Sequence, residues 1–142
     1  MELVTAEPQQ EFAGLDIATF EASEIDPDRF SHAAHIFIGW SYLQETELIE
    51  GIQRYSIALR RLTRKLGVPG KYHETVTWFF MLLIAERRRQ QGVTSWSQFR
   101  SENPDLFDDA KGLLGRYYST LCLDSPMARE QFVLPDRVLA SL

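Results

Sequence analysis

The sequence predicts an all-α fold, a small helical bundle with extended N- and C-terminal arms. Two observations carry this. Apolar residues recur at helical spacing in three long stretches, and each stretch is bounded by capping or breaking residues. The 142 residues match the usual size of one domain, with neither repeats nor low-complexity segments, so residues 1–142 read as a single helical domain.

Residues 1–25 are the least regular part and read as an irregular arm. Within them "LDIATFEASEI" alternates loosely, as a short strand or an extended arm would. "DPDRF" then starts a helix over about 27–44, with Asp26 as N-cap, Pro27 at the first helical position and Asp28 near the positive end of the dipole. Phe30, Ala34, Phe37, Ile38, Trp40 and Leu43 follow at helical spacing, and Gly51 is expected to break the chain. A second helix, about 52–66, puts Ile52, Tyr55, Leu59 and Leu62 on one face and arginines on the other.

Gly67 and Gly70 bracket Pro69 in a forced turn. The third helix, about 72–90, is apolar nearly all round from 76 to 85, which is expected to be the most buried segment of the fold. Arg87, Arg88 and Arg89 suit its negative end, and Gly92 closes it. Beyond it come a cap at Thr94 or Ser95, a helix from Pro104 through Lys111 to Tyr118, and a short turn capped by Ser125. "VLPDR" is an extended arm.

A net charge of −5 argues against a nucleic-acid partner, because phosphates call for a basic surface. The longest apolar run is about half of the ~20 residues needed to span a membrane, so no membrane partner is expected. The single Cys122 excludes an intramolecular disulfide, and the N-terminus lacks the basic and apolar regions of a secretory signal. A cytoplasmic protein is expected. Cys122 has no base beside it in sequence, and the chain has no phosphate-binding glycine loop, G-x-S-x-G or H-E-x-x-H motif.

All three histidines fall in two short segments, "FSHAAH" and "KYHET". His32 and His35 leave the same helical face, while His73 and Glu74 lie in the first turn of the third helix. Short connections place consecutive helices antiparallel, so the first and third helices run parallel and bring these residues to one end of the bundle. Imidazoles plus a carboxylate suit a mononuclear Zn or Fe centre with an open coordination position. His32, His35, His73 and Glu74 are the candidate metal ligands, and Glu74 is also the candidate catalytic base. Gly39, one turn further along, leaves room for a ligand, and Tyr42 and Thr77 are candidates for polar contact to substrate. The alternative is that these residues cap helix ends.

The order F-x-H-x-x-H, W-x-Y-L, "GKYHET", "NPDL", "RYYS" and "FVLPDR", over residues 20–137, resembles a family of small uncharacterised bacterial proteins. The resemblance implies a bacterial cytoplasmic protein. A looser likeness is to the DinB/YfiT-type helical hydrolases, which bind a metal through three histidines but carry a His-x-x-x-His pair late in the bundle. The favoured expectation is a metal-dependent enzyme acting on a small molecule, hydrolysis slightly ahead of oxygen chemistry. The alternatives are a metal-free ligand-binding or acid–base protein using the same histidines, and a non-catalytic interaction module. Homo-oligomerisation is left open.

Overall fold

A computed structural model describes residues 11–137, and the described residues are all-α. The helices are α1 (Ile17–Glu21), α2 (His32–Glu45), α3 (Leu48–Lys65), α4 (Glu74–Gln91), α5 (Trp96–Glu102), α6 (Pro104–Asp108), α7 (Ala110–Gly115), α8 (Thr120–Leu123) and α9 (Pro126–Glu130). Two 3-10 turns, Pro27–Arg29 and Pro69–Lys71, precede α2 and α4. None of these helices is long and apolar enough to cross a membrane.

The expected arm is more ordered than its sequence suggests. Residues 1–10 lie outside the described residues, but "IATFE" forms a helix closed by a capping box between Asp16 and Thr19. Phe20 on α1 is fully enclosed, with the rings of Tyr55, Phe30 and Tyr42 at 5.4, 5.6 and 6.2 Å. Glu21 accepts hydrogen bonds from the Tyr42 hydroxyl (2.8 Å) and from Arg54 Nε and Nη2 (3.1 and 2.9 Å), which fastens α1 to α2 and α3.

Three expected boundaries move for local reasons. Asp26 and Pro27 start a 3-10 turn, and Ser31, accepting from the Ala34 N–H at 3.2 Å, caps α2 itself. Gly51 does not break the chain. It lies inside α3 where a Cβ would come within 2.5 Å of Thr46 Oγ1, so its small size serves packing. The helix expected from Pro104 to Tyr118 is interrupted at Asp109, giving α6 and α7. After α9, residues 131–137 are non-helical and form a strap, as expected of the arm. Residues 138–142 lie outside the described residues.

α2 and α4 pack directly, with Gly39 facing Met81 and Ile84 and His32 edge-on to Phe80. Residues 76–85 are not the most enclosed segment. Phe79, Met81 and Ile84 are buried, whereas Leu82, Leu83 and Ala85 remain partly exposed along an outer groove. α2 is the more buried helix, through Ala34, Ile36, Ile38, Trp40, Tyr42 and Leu43. Arg87, expected to be a solvated helix-end charge, reaches Asp105 through two bonds of 2.9–3.0 Å and the buried Asn103 at 2.8 Å. It joins α4 to the α5–α6 corner.

Candidate functional site

The segment from Lys71 to Thr75 distributes its side chains to four different parts of the fold. Lys71 and Tyr72 line a cleft. His73 is the N-cap of α4: its Nδ1 accepts from the Val76 N–H at 3.2 Å, which leaves the proton on Nε2 to donate to the Leu123 carbonyl at 2.7 Å. Glu74 accepts from Arg60 Nη2 at 2.7 Å, from Trp78 Nε1 at 3.0 Å and from the Tyr72 hydroxyl. Burial and that carboxylate push the Tyr72 phenol up to about 12. Thr75 is fully buried and holds residues 128–133 to the start of α4.

The expected metal quartet is therefore divided among other tasks. Both ring nitrogens of His73 and both carboxylate oxygens of Glu74 are engaged by protein groups. His32 is exposed, and its Nε2 donates to the Leu106 carbonyl at 2.8 Å. Among the described residues no group of three or more His, Cys, Asp or Glu side chains is placed to hold a metal ion. In this conformation the four residues do not fit a mononuclear centre, and Glu74, tied to Arg60, is not presented as a free base.

His35 differs from the other two histidines. It is half-buried, lies against Phe30 with ring centroids 3.9 Å apart and planes tilted by 31°, and neither ring nitrogen has a protein hydrogen-bond partner among the described residues. It lines a cleft of about 420 Å³ together with Phe30, Leu62, Leu66, Val68, Tyr72 and His73. A smaller chamber of about 100 Å³ adjoins it, lined by His32, Ile36, Phe80, Met81 and Ile84 among others. His35, Leu59, Val76 and Thr77 border both spaces, so the imidazole stands between them.

Of the expected substrate contacts, Thr77 borders the cleft, although its hydroxyl donates to the His73 carbonyl at 2.8 Å. Gly39 and Tyr42 do not. A Cβ on Gly39 would lie 2.8 Å from Met81 Sδ, so the glycine permits close helix packing and leaves no ligand space. Tyr42 is fully buried against Glu21, away from the cleft. Sequence reasoning missed Lys71, Tyr72 and the α3 residues Leu62 and Thr63. The first two adjoin His73 in the same segment, but the α3 wall carries only an ordinary amphipathic pattern. No family model, curated protein or solved structure matches this sequence.

Burial, helped by the neighbouring His32, lowers the His35 pKa from 6.5 to about 4. The folded chain thus keeps His35 neutral where the unfolded chain takes up a proton. Stability attributable to this residue is fully present above about pH 6.5 and falls as pH drops towards 4. Allowing for solvent screening of a half-buried group, the expected loss is about 1–2 kcal/mol. Urea titrations at pH 7 and 4.5 should give a smaller pH dependence in His35→Leu than in wild type. Identical dependences would place the titrating group elsewhere.

Proposed function

We propose that the protein binds a small, largely apolar molecule in the cleft, without a metal, and that His35 recognises a polar atom of that molecule. One observation supports the reading above all: an imidazole with no protein partner faces a cleft whose walls are mainly aliphatic and aromatic. A ligand oxygen beside the ring supplies a hydrogen bond that no protein group makes, typically worth about 0.5–1.5 kcal/mol. The volume falls within the range of small-molecule sites, apolar with a few placed polar groups. The arrangement serves binding. Glu74, the candidate base, is already paired with Arg60.

The test compares 1-naphthol with naphthalene, two neutral probes that differ by one hydroxyl, by titration of the native chain. 1-Naphthol is expected to bind at one site, roughly 3- to 10-fold more tightly than naphthalene, as one hydrogen bond would give. His35→Leu should remove the difference. Leu66→Trp, at an exposed position on the cleft wall, should weaken both probes without lowering stability. Equal affinities for the two probes in wild type would overturn the role of His35. One equivalent of Zn or Fe retained through dialysis and lost in His35→Ala would overturn the metal-free reading.

A further inference from the structure

The cleft has a second recognition point at its mouth. Lys71 ends the 3-10 turn Pro69–Lys71, lines the cleft and is exposed, and its ammonium group has no hydrogen-bond or ion-pair partner among the described residues. It is the cationic side chain among the lining residues, which include no aspartate or glutamate. Nearby Glu74 does not offset it, being taken up by Arg60, Trp78 and Tyr72.

The turn that carries Lys71 is held in place. The Lys71 N–H donates to the Val68 carbonyl at 3.0 Å, and Arg129 on α9 donates to the Gly70 carbonyl at 3.0 Å. A lone ammonium without an arginine fork or a second cation suits a monoanionic carboxylate better than a phosphate, which favours several charge-assisted donors. The cleft thus carries an exposed cation, apolar walls and an imidazole, and a smaller, mainly apolar chamber lined by Ile36, Met81 and Ile84 adjoins it at His35.

Resting on the small-ligand reading above, we infer that the cleft takes a medium-chain carboxylic acid bearing a hydroxyl or keto oxygen along its chain. The carboxylate meets Lys71, the second oxygen meets His35, and the tail fills the smaller chamber beside it. The pairing explains why one apolar cleft carries two separate polar points, each lacking a protein partner.

The test is calorimetric titration of the whole chain at pH 7 with octanoate, octan-1-ol, octylamine and 2-, 3- and 8-hydroxyoctanoate. Octanoate is expected to bind about 5-fold or more tightly than octan-1-ol, with octylamine weakest. Lys71→Ala, at an exposed position, should bring octanoate down to the level of octan-1-ol. At least one hydroxyoctanoate should exceed octanoate by roughly 3- to 10-fold, and His35→Leu should remove that gain. Equal binding of octan-1-ol and octanoate, with 1-naphthol still bound, overturns the carboxylate assignment and leaves the small-ligand reading standing. No gain from any hydroxyl position overturns the second oxygen. No binding of any of these compounds or of 1-naphthol overturns the reading on which the inference rests.

Discussion

Phe20→Ala is expected to destabilise the protein by about 3–5 kcal/mol, the usual cost of removing a fully enclosed phenylalanine. Phe20 has no exposed surface and stands among the rings of Phe30, Tyr42 and Tyr55. The cavity left behind cannot close easily, because its walls are three large aromatic side chains fixed on α2, α3 and the turn before α2. Against a typical total of about 5–15 kcal/mol, the loss is a large share of the fold's stability. Urea denaturation checks it, with the midpoint falling at an unchanged slope. Leu121→Ala is the control, since Leu121 is 85% exposed and should change stability by less than about 0.5 kcal/mol. A similarly small change for Phe20→Ala would mean that α1 is not part of the core.

The second large effect is expected at Thr75. Its hydroxyl donates towards the carbonyls of Ala128 (2.7 Å) and Gln131 (3.0 Å) and accepts from the Val133 N–H (3.2 Å). Thr75→Val keeps the shape and removes these bonds, leaving the buried Ala128 carbonyl of α9 without a partner and freeing Gln131 and Val133 of the strap. At about 1–3 kcal/mol for the unsatisfied buried carbonyl, plus the smaller loss of two part-buried bonds, the cost is about 2–4 kcal/mol. Protease cleavage within residues 131–137 should quicken in parallel, because the strap is released before the bundle opens. Thr75→Ser, which keeps the hydroxyl, should retain most of the stability. A loss as large in the serine variant would assign the effect to the methyl group's packing.

The long helices were legible because their periodicity and caps are local properties. Gly92 adopts φ +65° at the end of α4, and Ser95 and Ser125 cap α5 and α9, as their positions in the sequence suggest. α1 was not legible, since five residues with loose alternation say little until Phe20 meets rings that come from positions 30, 42 and 55. The same limit applied to the candidate site. Sequence spacing correctly drew attention to the segments holding His35 and His73, and both side chains border one cleft. Whether a ring nitrogen is free depends on a carbonyl brought from far along the chain, Leu106 for His32 and Leu123 for His73. Lys71 and the α3 wall carry no local mark of function. They become notable only when the fold places an unpaired ammonium beside an apolar hollow.

The distribution of partners around residues 70–75 also sets an order of events during synthesis. Gly70, His73 and Thr75 are held by groups 59, 50 and 53–58 residues later in the chain. α2, α3 and α4 can associate while that later portion is still being made, but the mouth of the cleft cannot be fixed until α8, α9 and the strap have arrived. Contacts of such long sequence separation form late, because the closing of long loops precedes any gain from them. A nascent chain would thus acquire its helical core before it acquires a finished binding site, and ligand capture would wait for the strap.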